Sequence, residues 1–246
     1  MILDAHSHLG YSPIFSAGVT EEVLLTTMDA NGIDASVVMP AAGSDPVSTH
    51  DAIAALCRRL PDRIFGMVSM TPLIGRDAYV REAARCVGEL GFKALKLHPQ
   101  AHAVSPAFEV SDVVFETASH LAVPVMVHTG AGAPFALPSL LIRRAREYPE
   151  LPIILAHAGF AIYTEEAILA AELCPNILLE PTWCIAGDIR RMVKNLGADR
   201  VMFGGDLPTN VPVELTKYRT LDLTDEEREW CLWRTARNVF HLPVHG

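Results

Sequence analysis

The tripeptide His6-Ser7-His8 lies near the start of the chain, at the end of a short apolar segment that predicts a β-strand. In an extended strand, residues i and i+2 point to the same side, so the two imidazoles face one point. Such a pair is a common part of a divalent metal site, although two histidines also occur side by side on solvated surfaces. The pair therefore indicates a metal site only if further ligands reach the same point.

Four later predicted strands also end in residues that can bind a metal ion or transfer a proton. These residues are Lys96 and His98, then His128, His157 and Asp206. Imidazole and carboxylate ligands suit Zn²⁺, Fe²⁺ or Mn²⁺. A site with an open coordination position holds a water whose pKa falls toward about 7, which supplies hydroxide at neutral pH.

Short apolar segments alternate with longer helical patterns along the chain. The predicted strands cover residues 2–6, 35–40, 64–70, 93–98, 124–128, 153–157, 177–180 and 201–206. Most of their ends lie about 30 residues apart, the length of a strand–helix unit, and most are apolar throughout, as in parallel strands covered on both faces. We therefore predict an α/β fold: a single (β/α)8 TIM barrel that spans residues 1–246 as one domain and brings its strand ends to one rim.

A doubly wound open sheet is the alternative fold. It would carry a glycine-rich phosphate-binding turn after the first strand, where the sequence supplies only Gly10. The last predicted helix begins at Thr224, a good N-cap residue followed by three acidic residues. We expect this C-terminal helix to pack on the barrel through residues that recur at helical spacing, namely Trp230, Trp233, Ala236 and Phe240.

Charge and composition limit the classes of partner. Lys and Arg total 20 against 29 Asp and Glu, a formal net charge of −9. This charge disfavours nucleic acid and anionic membranes, and no segment is long and apolar enough to be a membrane helix. The five cysteines lack metal-like spacing and indicate reduced thiols. We expect a cytoplasmic protein without a targeting segment, with a small-molecule substrate as its partner; a homodimer is compatible with its apolar surface.

The order of the motifs resembles the amidohydrolase superfamily over residues 2–242. The matching segments are Asp4-Ala5-His6-Ser7-His8, Lys96-Leu97-His98-Pro99, Val127-His128-Thr129-Gly130, Ala156-His157-Ala158-Gly159, Phe203-Gly204-Gly205-Asp206-Leu207-Pro208 and Arg234-Thr235-Ala236-Arg237-Asn238-Val239-Phe240. The last two segments look most like the branch that contains the aminocarboxymuconate-semialdehyde and resorcylate decarboxylases.

The resemblance implies a role for each matching residue. One divalent metal ion, with Zn²⁺ expected, would be bound by His6, His8, His128 and Asp206. The catalytic residues would be Asp206, which accepts a proton from bound water and passes it to the leaving group, and His157, which hydrogen-bonds the water or the developing oxyanion.

Lys96 shares a predicted strand face with His98, and we assign both to substrate binding. A buried ammonium group must be paired. Lys96 could form an ion pair with Asp206 or Glu180, or anchor a substrate carboxylate. In the two-metal branch of the superfamily, a carboxylated lysine at this position bridges two metals, and His157 would then join the second. We favour the single-metal site.

Aromatic residues in the predicted loops could wall an apolar pocket, namely Tyr11, Phe15, Phe135, Phe160 and Trp183. Besides Lys96, only Arg76 is predicted near the mouth of the barrel as a group that could bind an anion. The remaining histidines are interpreted as ordinary surface or helix residues: His50, His102, His120, His241 and His245.

We predict a metal-dependent hydrolase that directs a metal-activated water onto an ester, lactone or amide bond of a small substrate. The alternative is a metal-dependent non-oxidative decarboxylase, a lyase acting on a small aromatic or enoic acid. The decarboxylases that the chain resembles have longer chains with inserted elements, which favours hydrolysis. A third hypothesis, a non-catalytic barrel that only binds metal, does not explain why Asp206 and His157 are both present.

Overall fold

A curved eight-stranded sheet forms the centre of an α/β fold in the computed structural model, which describes residues 1–14 and 16–244. The order in the sheet is β2-β1-β3-β4-β5-β6-β7-β8, and every pairing is parallel except the β1–β2 hairpin. The strands are β1 (Leu3–Ser12), β2 (Ala17–Val19), β3 (Ala35–Pro40), β4 (Ile64–Ser69), β5 (Ala94–Leu97), β6 (Val125–His128), β7 (Ile153–Ala156) and β8 (Ile177–Glu180).

Helices follow most of the parallel strands. They are α1 (Glu21–Asn31), α2 (Pro46–Arg59), α3 (Arg76–Gly88), α4 (Pro99–His102), α5 (Asp112–Leu121), α6 (Leu140–Glu147), α7 (Thr164–Leu173), α8 (Ala186–Leu196), α9 (Val211–Thr220), α10 (Asp225–Glu229) and α11 (Thr235–Val239). Among the described residues, no helix has the length and apolarity needed to span a bilayer. All five cysteines are free thiols.

The predicted strands agree with the observed ones except at the two ends of the series. The sequence did not predict β2. This strand has only three residues and pairs with the end of β1, beyond His6 and His8. The predicted strand 201–206 forms only isolated parallel bridges, from Val201 to Leu179 of β8 and from Ser7 of β1 to Asp206. This segment therefore lies between β8 and β1.

The apolar side chains form two clusters that follow the alternation of the strands. Residues of β5 to β8 that point to one side pack with the helices, as Val125 and Val127 do. The alternate residues of these strands point to the other side and form an inner cluster, which includes Met126, Ile154 and Leu178. Parallel strands covered on both faces require both clusters.

The C-terminal segment reaches the inner cluster. A capping box between Thr224 and Glu227 begins α10, and a π-helical turn, Trp230–Arg234, joins it to α11. The buried side chains of Ala236 and Phe240 belong to the inner cluster, and Trp233 packs against it.

An irregularity in β1 directs the histidine pair. Ala5 belongs to the inner cluster, yet its neighbour His6 also faces the interior. Successive strand residues normally point to opposite faces, and the register shift between Asp4 and Ser7 accounts for the change. The Asp4 carboxylate fixes this turn of the backbone: it accepts hydrogen bonds from His6 N (3.0 Å), Ser7 Oγ (2.8 Å) and Gly205 N (2.8 Å).

Candidate active site

A cavity of about 240 Å³ lies at the carboxyl ends of the strands. It brings together all but one of the residues that the sequence predicts for the site. The polar side chains that line it include His6, His8, His98, His128, His157 and Asp206. Small and aromatic residues make the other walls, among them Ala17, Val19, Ala41, Ala42, Ala131, Phe160, Trp183 and Leu207.

The two histidines of β1 direct their Nε2 atoms toward the same carboxylate oxygen, Oδ1 of Asp206. His6 Nδ1 lies 2.7 Å from Glu180 Oε2, and His8 Nδ1 lies 3.2 Å from the carbonyl oxygen of Pro40. Both partners are acceptors, so each Nδ1 carries the proton that it donates. The Nε2 atoms of His6 and His8 then lie 3.6 and 3.1 Å from Asp206 Oδ1.

The surroundings of His6 and Asp206 favour the charge states that suit metal ligands. Burial, assisted by the Lys96 ammonium group, lowers the pKa of His6 well below its usual value. Burial alone would raise the pKa of Asp206, but the neighbouring imidazoles, that of His8 first, hold it well below its usual range. Neutral imidazoles and an ionised carboxylate are the forms that bind a cation.

Three acceptor atoms therefore point toward one another in a largely buried place, namely His6 Nε2, His8 Nε2 and Asp206 Oδ1. They lie within 4.8 Å of one another. Such an arrangement is unfavourable unless positive charge lies beside the atoms, and the Lys96 Nζ atom, 3.2 Å from His6 Nε2, supplies part of it. Metal-bound histidines usually donate their other N–H to a carboxylate or carbonyl, as His6 and His8 do. This donor set fits a divalent metal ion.

His157 lies beside this group, directly after the end of β7. Its backbone has a φ of 65°, in the left-handed region that is uncommon for residues other than glycine. Its Nδ1 atom is buried without a hydrogen-bond partner. Its donor atom forms a second possible ligand group with His6 and Glu180. The structure thus places His157 at the site but does not restrict it to one role.

Glu180 is a site residue that the sequence did not assign to the site. Its side chain is fully buried and accepts hydrogen bonds from His6 and from the backbone and hydroxyl of Thr182. The alternation of β8 indicates its direction, because Leu178, two residues earlier, belongs to the inner cluster. Gly204 makes room for it, since a Cβ atom there would lie 2.7 Å from Glu180 Oε1.

His128 lines the cavity but does not join either ligand group among the described residues. Its Nε2 atom donates to the carbonyl oxygen of Ala131 over 2.8 Å, which leaves Nδ1 as the free nitrogen. The ring stacks on His98 with the centroids 4.1 Å apart. The role of His128 as a metal ligand stays a prediction.

His98 has a tautomer defined by its neighbours. Its Nδ1 atom accepts a hydrogen bond from the backbone N–H of Ala101, over 3.3 Å, at the start of α4. Burial and the nearby His128 ring hold the pKa of His98 well below its usual value, so the ring is neutral and carries its proton on Nε2. His98 can therefore donate one hydrogen bond to a ligand in the cavity, in agreement with its predicted role in substrate binding.

Lys96 is buried beneath the cavity and is not among the residues that line it. Its Nζ atom lies 3.2 Å from His6 Nε2. In the part of the chain that the structure describes, no carboxylate oxygen lies within 4.0 Å of Nζ, so the expected ion pair with Asp206 or Glu180 is absent. Direct substrate binding and carboxylation of Lys96 stay predictions.

Two of the predicted aromatic residues, Phe160 and Trp183, line the cavity. Their rings stack, with centroids 5.9 Å apart and an interplanar angle of 20°. Tyr11 and Phe135 are exposed instead, at 60% and 48%, and are not among the lining residues. Phe15 lies outside the described residues, as does His245.

Arg76 is not among the residues that line the cavity. It begins α3, and its exposed guanidinium group pairs with Glu116 of the neighbouring helix α5. Binding of an anion by Arg76 stays a prediction.

Two histidines interpreted as ordinary surface or helix residues lie in helices but are buried. His102 Nδ1 accepts a hydrogen bond from the backbone N–H of His98 over 3.1 Å. His50 lies between Glu82 Oε1, at 2.9 Å from its Nδ1, and the backbone N–H of Ser69, at 3.1 Å from its Nε2. His50, Glu82 and Cys86 could also hold a cation. The guanidinium group of Arg85, bound to Glu82, opposes that interpretation.

The His50 network predicts a pH dependence of stability. Burial lowers the pKa of His50 in the folded protein, despite the hydrogen bond and charge of Glu82, which act in the opposite direction. The unfolded chain, with a histidine pKa of about 6.5, then binds more protons below that pH. The contribution of His50 to stability is complete above about pH 6.5 and falls as the pH drops toward the folded pKa.

We expect His50→Gln to reduce the slope of unfolding free energy against pH, between about pH 5 and 6.5, by at most about 1.4 kcal/mol per pH unit. Urea unfolding in the presence of a metal chelator measures this slope. Replacement of the exposed His120 by glutamine is the control and should leave the slope unchanged. Equal slopes for wild type and His50→Gln would show that His50 titrates alike in both states.

A sequence comparison with protein families matches residues 5–242 to the family described as Amidohydrolase. A comparison with curated proteins found no match. The family match therefore covers almost the whole chain, including every strand except the first two residues of β1.

Solved structures with the same fold include several decarboxylases. A 5-carboxyvanillate decarboxylase from Novosphingobium aromaticivorans, complexed with manganese and a nitrobenzoic acid, has a TM-score of 0.79 at 18% identity, over 98% of this chain and 96% of that chain. A dihydroxybenzoic acid decarboxylase from Polaromonas sp. JS666, with bound manganese and 2-nitroresorcinol, has a TM-score of 0.75 at 17% identity, over 99% and 98%. A 2,6-dihydroxybenzoate decarboxylase has a TM-score of 0.75 at 18% identity, over 98% of both chains.

Proposed function

Because the chain belongs to the amidohydrolase family, we propose that it is a metal-dependent decarboxylase of a small aromatic carboxylic acid. The observation that carries this proposal is the set of three convergent acceptors, His6 Nε2, His8 Nε2 and Asp206 Oδ1, in a cavity with an aromatic wall. The similar folds of three decarboxylases support it.

The proposed enzyme is a single closed (β/α)8 barrel. Segment 201–206 takes the place of the eighth strand, between β8 and β1, in keeping with its bridges to both. The helical segment that contains α10 and α11 covers the end of the barrel opposite the site, which agrees with the burial of Ala236 and Phe240 in the inner cluster.

The metal ion would be held by His6, His8 and Asp206, with His128 as a further ligand if its ring turns from Ala131. A divalent cation there would neutralise the negative charge of a substrate carboxylate and an adjacent hydroxyl group. Two of the three similar decarboxylases contain manganese, and both Mn²⁺ and Zn²⁺ suit imidazole and carboxylate ligands.

The lining of the cavity carries little charge. Among the lining residues that the structure describes, Asp206 carries the only permanent charge, and none is an arginine or a lysine. A substrate carboxylate would therefore be held by the metal ion and not by a cationic side chain. The cavity, at about 240 Å³, suits a single aromatic ring, which can lie against Phe160 and Trp183.

The reaction needs one proton at carbon. The bond to the carboxylate breaks, its electron pair stays on the ring carbon, and a proton replaces carbon dioxide there. Asp206 can carry this proton, because it is ionised in the free site and can take a proton from a substrate hydroxyl before delivering it. The Nε2–H group of His98 can orient the substrate.

Hydrolysis of an ester, lactone or amide is the second candidate, and His157 favours it. Its buried Nδ1 atom has no partner and can hydrogen-bond to a water molecule or an oxyanion at the site. The family match supports hydrolysis only at the level of the family, whereas the three similar structures named above are decarboxylases.

We expect protein loaded with Mn²⁺ or Zn²⁺ to release carbon dioxide from at least one hydroxybenzoate in a panel of 2-hydroxy, 2,6-dihydroxy and 3-methoxy-4-hydroxy acids. In D₂O the product should contain one deuterium at the carbon that carried the carboxylate. Product analysis by NMR and carbon dioxide detection measures both. Cleavage of lactones or esters without carbon dioxide release would contradict the decarboxylase proposal and support hydrolysis.

A further inference from the structure

We propose that Trp183 is a positioning residue for Asp206, holding one carboxylate oxygen so that the other faces the two histidines. The inference rests on the proposed function only in taking Asp206 as a metal ligand. The indole Nε1–H of Trp183 donates to Asp206 Oδ2 over 2.7 Å, whereas Oδ1 is the oxygen near His6 and His8. The two oxygens therefore have separate partners.

The backbone of both partners is held in an uncommon conformation. Trp183 has a φ of 68° and Asp206 a φ of 63°, both in the left-handed region. For residues other than glycine such a conformation is unfavourable and persists only where the surroundings determine it. Here the left-handed backbone of Trp183 directs its indole ring from the loop after β8 toward Asp206.

Glu214 of α9 fixes the two loops relative to each other. Its Oε1 atom accepts hydrogen bonds from the backbone N–H of Trp183 (3.0 Å), from Asn210 Nδ2 (3.1 Å) and from Lys217 Nζ (2.6 Å). Asn210 Nδ2 also donates to the carbonyl oxygen of Gly205, directly before Asp206. One buried carboxylate thus anchors the backbone that carries the indole and the backbone that carries the metal-facing carboxylate.

As a consequence, Asp206 can present only one carboxylate oxygen, Oδ1, to the cation. A charged acceptor makes a strong hydrogen bond with the indole N–H, so rotation of Asp206 to present both oxygens would break it. Partners of this kind orient metal ligands, and their loss typically reduces metal affinity by about 10–100-fold.

We expect Trp183→Phe to raise the dissociation constant for Mn²⁺ about 10-fold or more in the purified full chain. Phenylalanine keeps the aromatic contact with Phe160 and removes only the N–H donor. Phe160→Leu is the matched control, because it alters the stack and keeps the donor, and it should change the affinity less than about 3-fold. Electron paramagnetic resonance of free Mn²⁺ measures binding without any substrate.

A second readout tests the hydrogen bond itself. In ¹H–¹⁵N spectra of the metal-free protein, the indole resonance that disappears in Trp183→Phe belongs to Trp183. We expect Asp206→Asn to shift this resonance upfield, because a neutral amide is a weaker acceptor than a carboxylate. The indole resonances of Trp230 and Trp233, which lie on the C-terminal helical segment, should not move.

The outcomes separate this inference from the proposed reaction. Weaker Mn²⁺ binding by Trp183→Phe supports the positioning role even if no hydroxybenzoate is decarboxylated. Unchanged affinity together with an unmoved indole resonance would overturn it even if the enzyme is a decarboxylase. Absence of Mn²⁺ binding by the wild-type protein would also overturn it, since Asp206 would then have no cation to face.

Discussion

Replacement of Asp206 by asparagine is expected to lower turnover by about 10²–10⁴-fold, the range typical of a lost acid–base group. The change also removes the negative charge that faces His6 and His8, so metal binding should weaken. Asparagine has nearly the same shape and can still accept the hydrogen bond from Trp183. Steady-state kinetics at saturating metal, with the substrate identified from the hydroxybenzoate panel, measures the loss.

The control for this substitution is Asp222→Asn. Asp222 is exposed and pairs with Arg190 on the surface, so its replacement should leave turnover unchanged. If Asp206→Asn kept wild-type turnover with metal bound, another group would carry the proton. The unpartnered His157 would then be the next candidate.

Replacement of Glu180 by alanine is expected to destabilise the protein by roughly 1–3 kcal/mol, as when buried hydrogen-bond donors lose their acceptor. His6 Nδ1–H would lose its acceptor, as would both donors of Thr182. The nearby buried Lys96 ammonium group would also lose a compensating negative charge. Metal affinity should fall by about 10–100-fold, because Glu180 orients His6. Urea denaturation and Mn²⁺ titration measure the two effects.

Two further variants separate the contributions of Glu180. Glu180→Gln keeps the size and the acceptor oxygen, so it should retain more stability than Glu180→Ala. Glu116→Ala removes a carboxylate from an exposed ion pair with Arg76 and should cost less than about 1 kcal/mol. If Glu180→Ala were as stable as Glu116→Ala, the hydrogen bonds from His6 and Thr182 to Glu180 would not contribute to the stability of the fold.

The parallel arrangement of the strands explains which parts of the site could be predicted from the sequence. Strand ends in parallel α/β folds share one rim, so His8, His98 and Asp206 could be placed in one cavity although nearly two hundred residues separate the first from the last. The seven parallel strands of the sheet could also be predicted, because short apolar segments recur at the regular spacing of strand–helix units.

The residues that were missed depend on tertiary contacts with no local pattern. Glu180 follows the inward alternation of β8, but only the fold shows that its acceptor is used by His6. The role of Trp183 depends on a left-handed backbone that a tryptophan rarely adopts. The burial of His50 arises from contacts with α3 and β4, far from it in sequence.

The preference for hydrolysis over decarboxylation came from the expectation of inserted elements in the decarboxylases. The similarity covers 96–98% of the three decarboxylase chains, so it gives no support to that expectation. We place decarboxylation of an aromatic acid first of the two proposals because the cavity is small and has an aromatic wall, Phe160 and Trp183.

The most direct test of the metal site is a crystal structure of the protein with Mn²⁺, with the ion located from its anomalous scattering. We expect one peak within about 2.0–2.3 Å of His6 Nε2, His8 Nε2 and an oxygen of Asp206. A well-occupied ion elsewhere, for example between His50, Glu82 and Cys86, with none at these three residues, would contradict the proposed site and the chemistry derived from it.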